Sequence, residues 1–238
     1  MKFKRCMGII LFMVLMLTAC SPDPRVAPFK AWIVGVDAPT VLYDKDYGTR
    51  ILIMQKGEDA DVTITHNREP RHGIAIGVPS SDEQYIATVS DLVDGKFRIH
   101  AEDEGCAKVT LEVQGEKVKY LYGDNKAEAY VYIIVEGDES GDGITVTLSR
   151  VNGSMAGNLE DITLVRGDNM VFEYEDSSNI TVDHVDWFVN GLKVATGTNF
   201  EYEATTVGEH NVRCIIYGWK QGKWTLGHSN EVKLFVNP

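Results

Sequence analysis

"DWFVNGLKVATGTNFEYEATTVGEHNVRC", residues 186–214, sets apolar and polar side chains in near-strict alternation. Phe200-Glu201-Tyr202-Glu203 repeats with period two, the spacing of a strand with one buried and one wet face. Asn190-Gly191 divides the stretch where a two-residue hairpin turn requires positive φ at both positions, which these residues tolerate best. The pattern predicts strands over 182–189, 192–195, 199–204 and, past the quoted end, 209–217. Val212, Cys214 and Ile216 form the inward row of the last of these.

Working outward, 144–148 and 161–165 read as edge strands, 170–174 as an inner strand and 231–236 as a closing one. Upstream, the same short alternating segments recur at 31–36, 50–55, 61–66, 73–78, 85–89, 96–100, 106–113 and 127–135. No long stretch has 3.6-residue periodicity. Between the two groups, residues 137–143 (Gly-Asp-Glu-Ser-Gly-Asp-Gly) hold three glycines, three acids and no apolar side chain, which reads as a linker. Short strands separated by Gly, Asn and Asp turns predict an all-β chain of two tandem antiparallel sandwiches, over 29–136 and 144–238.

The C-terminal stretch resembles the PKD-like branch of immunoglobulin-like domains through Trp187, Gly191, Phe200, Tyr202, Gly208, Val212 and the closing Val232 and Val236. It departs in one turn, where Val189-Asn190-Gly191 replaces the Asp-rich turn that many such domains carry after the tryptophan. The resemblance implies a buried Trp187 beside Cys214, with no second cysteine to bridge the sheets. "YIATVSDLVDGKFRIHAEDEGCAKVTLEV", residues 85–113, resembles the second half of a bacterial Ig-like group 2 domain, with Asp94-Gly95 as its hairpin turn. Both modules are therefore expected to be Ig-like sandwiches.

The chain starts with a basic head, Lys2, Lys4 and Arg5, followed by uncharged apolar residues from Met7 to Leu17. That run is too short for a spanning helix, which takes roughly 20 residues, and its order is that of a removable export signal over residues 1–19. Leu17-Thr18-Ala19-Cys20 resembles the lipobox of bacterial lipoproteins, which implies that Cys20 becomes the acylated first residue of the mature chain. Ser21 at the following position favours the outer membrane under the sorting rule of enteric bacteria. Residues 20–28, with Pro22, Pro24 and Pro28, read as an extended stalk. Membrane attachment through this lipid, in a bacterial cell envelope, is the expected location.

Removing residues 1–19 discards Lys2, Lys4 and Arg5 and no acid, so the formal charge moves from −12 to −15. Such a surface repels phosphate, which excludes nucleic acid as a natural partner. Cys106 and Cys214 are the only other thiols left in the mature chain and read as buried small hydrophobes on strands of different modules. Carboxylates at 137–143 and at Asp44-Lys45-Asp46 invite a calcium reading, but a linker and a plain turn account for them, and no metal or cofactor is expected. His66 and His72 flank a charged loop that reads as solvated.

No local context for hydrolytic, nucleotide-binding or zinc chemistry is present, so no enzyme is expected. Asp183, His184 and Asp186 lie beside Trp187, and strict alternation sends Asp183 to the face opposite His184 and Asp186. "IIYGWKQGKWTLGHSN", residues 215–230, stands apart by placing Tyr217, Trp219 and Trp224 around a Lys220–Lys223 turn at the distal tip of a sandwich. Those rings either bind a ligand such as a glycan or an envelope protein, or cap a core or the junction with the first module. The expectation is a non-catalytic binding or spacer module. Its alternatives are a glycan-capture lipoprotein of a polysaccharide uptake system and a surface-fibre subunit that adds strands at 144–148.

Overall fold

The computed structural model describes residues 30–66, 74–76, 79–115, 126–136, 145–151, 154–155, 161–176 and 180–238. The expected signal, Cys20, the expected stalk and linker, and residues 67–73 with His72 lie outside the described residues. Among the described residues every regular element is a strand.

The first sandwich comprises β1 (Ala31–Asp37), β2 (Thr40–Asp44), β3 (Thr49–Gln55), β4 (Asp59–His66), β5 (Ile74–Ile76), β6 (Ser80–Ser81), β7 (Ala87–Val89), β8 (Lys96–Ala101), β9 (Gly105–Gly115) and β10 (Lys126–Glu136). One sheet runs β1-β4-β8-β7 and the other β2-β3-β10-β9-β5, with β6 also paired to β9. β3 and β10 are parallel, and the remaining pairs within the sandwich are antiparallel. Asp94 and Gly95, at φ of 51° and 75°, form the two-residue turn into β8.

The second sandwich comprises β11 (Thr145–Val151), β12 (Ser154–Met155), β13 (Asp161–Val165), β14 (Asn169–Asp176), β15 (Thr181–Val189), β16 (Leu192–Thr196), β17 (Asn199–Glu203), β18 (Gly208–Lys220), β19 (Lys223–Ser229) and β20 (Val232–Asn237). β11-β14-β17 faces a sheet in the order β13-β20-β18-β15-β16. This two-sheet order, with parallel β13 and β20, is that of an Ig-like sandwich. β18 is long enough to take two partners on one side: residues 208–212 pair with β20 and residues 215–220 with β19. At the break the buried Ser229 hydroxyl accepts from the Cys214 amide at 2.9 Å and donates to the Asn230 carbonyl at 2.8 Å.

Trp187 sits opposite Cys214 at the centre of the second core, fully buried, and its indole N–H donates to the Gly197 carbonyl at 2.9 Å. The rings of Phe172 and Phe200 lie 6.4 and 5.8 Å from it. Val212, Cys214 and Ile216 are the inward row that alternation predicts.

One expectation about the strands needs correction, and two strands were missed. Residues 145–148 of the stretch expected as an edge are not a free edge: β11 pairs with β14 on one side and, at Thr145 and Val146, with β19 on the other. β2 and β19 were not foreseen as strands at all. Both meet the neighbouring sandwich, where a third hydrophobic core forms from Leu42, Ile51, Ile53 and Ile134 of the first and Phe188, Ile215, Tyr217 and Leu226 of the second. Cys106, Tyr132 and Trp224 pack against it.

Candidate functional site at the domain junction

The third core exists because two sheets bury both of their faces. In β3, Leu52 and Met54 point into the first sandwich while Ile51 and Ile53 point out of it, and all four are at most 4% exposed. In β18, Cys214 and Ile216 point into the second sandwich while Ile215 and Tyr217 point at the first. Burying each such side chain stabilises by about 1.5–3 kcal/mol, so several together hold the two bodies firmly.

The sheets also join at one edge. The Asn190-Gly191 turn docks on β2, where the Tyr43 N–H donates to the Gly191 carbonyl at 2.8 Å and Leu192 pairs in parallel with Tyr43. Gly191 is required twice over: its φ is +76°, and a Cβ there would lie 3.0 Å from the Val41 carbonyl oxygen.

Beside this edge the Lys193 ammonium lies 2.9 Å from Asp44 Oδ2 and 2.9 Å from Asp186 Oδ2. The three side chains are 9%, 5% and 1% exposed. Thr196 Oγ1 donates to the other Asp186 oxygen at 2.6 Å, and the Asp46 N–H donates to Asp44 Oδ1 at 2.8 Å. Burial alone would raise the Asp44 carboxyl, but Lys193 and the backbone donors outweigh it and hold it below the usual range. Burial likewise opposes the Lys193 charge, and the two carboxylates outweigh it and raise that group. Asp44 is thus engaged in an ion pair and a turn, and Asp186 is buried rather than an outward solvated residue.

Two further contacts cross the junction with the same polarity. Lys223 pairs with Glu83 and donates to the Tyr85 hydroxyl at 3.2 Å. His228 Nε2 lies 3.0 Å from Glu136 Oε1. In each of the three contacts the carboxylate belongs to the first sandwich and the nitrogen base to the second. Lys223 holds the Glu83 carboxyl below its ordinary value, and His228 does the same for Glu136.

The aromatic residues singled out in the sequence all lie on this hairpin. Its turn, with Gln221 and Gly222 at φ of 53° and 81°, points at Glu83 and Tyr85 of the first sandwich, so it is not a distal tip. β18 and β19 continue the strand pairing beyond the sandwich end, which carries the turn across to its neighbour. Tyr217 is buried in the third core, and burial together with Asp186 and Asp44 pushes its phenol far up. Trp224 is half-buried against the same core. Trp219 alone of the three presents its ring, at 48% exposure, with Trp224 edge-on at 5.2 Å.

Next to it the strand bulges. Val182 pairs with Gly218 and His184 with Tyr217, leaving Asp183 as the extra residue. The bulge overrides alternation: Asp183 Oδ2 lies 2.7 Å from His184 Nδ1, and the His184 ring stacks on Tyr217 at 4.2 Å.

On the outer face of the β1-β4-β8-β7 sheet, Asp37, Ala38, Pro39, Asp59, Asp61 and Arg98 line a cavity of about 410 Å³. Arg98 forks onto Asp61 at 2.7 and 3.1 Å, and His100 hydrogen-bonds to Asp59 at 2.7 Å, so two of these acids are already engaged by neighbours. Among the described residues no three His, Cys, Asp or Glu side chains converge on a metal-sized space. Cys214 lies in the second core and Cys106 at the third, and burial pushes both thiols up to about 12, where they stay protonated and unreactive.

No family model and no curated protein matches the chain. Among solved structures it is similar to the N-terminal Ig1-2 module of the Drosophila receptor protein tyrosine phosphatase DLAR, at 11% identity over 89% of this chain and 100% of that one, with a TM-score of 0.37. It is also similar to the fibronectin(III)-like modules of Clostridium thermocellum CbhA, at 14% identity over 85% and 93% of the two chains, with a TM-score of 0.28. A third likeness is to Drosophila N-cadherin EC1-4, at 6% identity over 89% and 51%, with a TM-score of 0.29. Likeness at these scores carries no weight of its own, and the Ig-like architecture rests on the strand order of the two sandwiches.

Proposed function

We propose that the chain is a non-catalytic lipoprotein of a bacterial cell envelope, tethered through an acylated Cys20, whose two sandwiches act as one rigid binding or spacer module. The observation that carries this reading is the third core. A protein that only strings domains on a chain gains nothing by burying Ile51, Ile53, Ile134, Phe188 and Ile215 between them. One that must hold a surface at a fixed distance and orientation from a membrane does. The lipobox supports the tether: acyl chains contribute about 0.8 kcal/mol per buried methylene, and two or more hold a soluble body at a bilayer.

The test replaces Cys20 with Ser in the full chain expressed in a bacterium. Loss of the acyl mass and release from the membrane fraction are the expected results. An unchanged mass with continued membrane attachment overturns the tether.

A second reading, glycan capture as part of a polysaccharide uptake system, is favoured by one observation: the half-exposed Trp219 ring, braced by Trp224 on a rigid strand. Aromatic rings fixed in this way suit the apolar faces of sugars. Retention of the protein on immobilised polysaccharide, abolished by Trp219→Ala, supports it; absence of retention on every polysaccharide counts against it.

A further inference from the structure

Beside the junction, the outer face of β15 and β18 runs on into solvent, while β19 stays against the first sandwich. Trp219 lies opposite Thr181 on one side and Trp224 on the other. Two pairs inward, on the same face, Tyr217 lies opposite His184 and Leu226. Leu226 and Tyr217 are covered by the first sandwich, whereas Thr181, Asp183 and Trp219 are exposed and His184 is half-buried. The result is a ledge with one aromatic ring and, beside it, a hydroxyl, a carboxylate and an imidazole.

Each member is held by something behind it. Trp224 packs edge-on to Trp219 at 71° between ring planes. The bulge at Asp183 turns its carboxylate to His184, whose ring is fixed face to face on Tyr217 at 13°. Gly218 lets β15 come close enough to do this, since a Cβ there would fall 2.4 Å from the Thr181 carbonyl oxygen. Bulges recur where a strand re-aims a side chain at a site, and sites on strands are held more precisely than sites on loops.

We propose that this ledge binds a neutral saccharide. Trp219 takes the C–H face of one pyranose ring, Asp183 accepts hydrogen bonds from its hydroxyls, and Thr181 bonds a further hydroxyl. A pyranose has an apolar face and a rim of hydroxyl donors, which is the complement of a ring beside a carboxylate. Bonds to an ionised acceptor are about twice as strong as neutral ones. The formal charge of −12, with Asp183 in the site, disfavours uronates and other acidic sugars. This inference rests on the glycan-capture reading and goes further by assigning the polar half of the site.

The test is calorimetric titration of the full chain, in a sugar-free zwitterionic detergent, with cellohexaose, xylohexaose and mannohexaose, and with a galacturonate oligomer as the acidic control. At least one neutral hexasaccharide is expected to bind. Trp219→Ala should weaken that binding by at least about tenfold, and Asp183→Ala and Thr181→Val by roughly 3- to 10-fold each, the value of one hydrogen bond. The melting temperatures should stay unchanged. If Trp219→Ala abolishes binding while Asp183→Ala and Thr181→Val bind like the parent, the ledge is overturned and glycan capture stands. If none of the neutral hexasaccharides binds, or only the galacturonate does, the proposal is overturned whatever the variants do.

Discussion

The two sheets of the first sandwich carry strands of similar length and opposite grammar. β8, Lys96–Ala101, alternates outward and inward side chains, with Phe97, Ile99 and Ala101 buried between exposed Lys96 and Arg98. β3, Thr49–Gln55, buries Ile51, Leu52, Ile53 and Met54 in an unbroken run. Both pack the same core with alternate residues; the difference lies entirely on the outer face. Water covers β8 there, and the second sandwich covers β3. A sheet dry on both sides reads as a continuous apolar run, so the run in β3, its counterpart in β10 and "CIIY" in β18 mark the surface where one domain meets the other.

The largest test of this difference is electrostatic. Lys193→Met leaves Asp44 and Asp186 facing each other without their cation. Breaking a buried pair in this way costs about 3–5 kcal/mol. Scanning calorimetry should show the single transition of the parent, in which the third core couples the sandwiches, separate into two. A single transition at the parent temperature would mean that the clamp does not join the domains.

Acid attacks the same contacts without mutation. The folded-state values of Asp44, Glu83 and Glu136 are depressed below their unfolded values. The stability they contribute is therefore present above the usual carboxylate range of about pH 4 and is lost as pH falls through the lower folded values. Since all three cross the junction, the splitting of the transition should appear on acidification below about pH 4, with β8 and its sheet still folded. Raised Lys193 and Lys223 keep their contribution up to about pH 10.5 and lose it only above their folded values.

Neighbouring residues give the cleanest version of the comparison. Ile215 and Ile216 are adjacent on β18 and both fully buried, one in the third core and one in the second. Each change to alanine should cost about 2–5 kcal/mol. A solvated outer face would make Ile215→Ala nearly neutral, within about 0.5 kcal/mol, so urea titration of the pair discriminates between the two arrangements.

What the sequence disclosed follows the same division. Trp187 beside Cys214, the inward row of β18, the Asn190-Gly191 and Asp94-Gly95 turns and strand 161–165 depend on contacts inside one sandwich, and period-two reasoning reaches them. β2 and β19 escaped because part of their packing depends on the other sandwich: Val41 lies on the first core, but Leu42 and Leu226 are buried only in the third. The aromatic hairpin looked like a distal tip for that reason, and Asp186 looked solvated because its cation, Lys193, and its neighbour Asp44 come together only when the two bodies meet. Asp183 escaped differently, since a bulge breaks the alternation that assigned its face. The unbroken runs in β3, β10 and β18 were the available signal for the junction.

A smaller effect is expected where backbone rather than side chain makes the joint. Gly191→Ala forces a Cβ into a left-handed conformation and to within 3.0 Å of the Val41 carbonyl oxygen, a cost of roughly 1–3 kcal/mol. Gly57 has a similar φ of +86° with open space around its would-be Cβ, so Gly57→Ala incurs a comparable conformational penalty without the contact. The excess of the first over the second, measured by chemical denaturation, isolates the docking of the turn on β2. Equal costs would show that this docking contributes nothing.

The smallest effect belongs to a lysine that looks similar on paper. Lys56 pairs with Asp103 at 2.8 Å, as short as the Lys193 contacts, but the two side chains are 62% and 61% exposed. Water solvates both charges whether or not they touch, and salt screens what attraction remains. Lys56→Ala should therefore change stability by no more than about 0.5 kcal/mol, and the change should vanish in high salt. Lys193→Met should keep its effect there, because ions cannot enter a dry junction. If the two variants behaved alike in magnitude and salt response, burial between the sandwiches would not be what separates them, and the outer face of β3 would be as wet as that of β8.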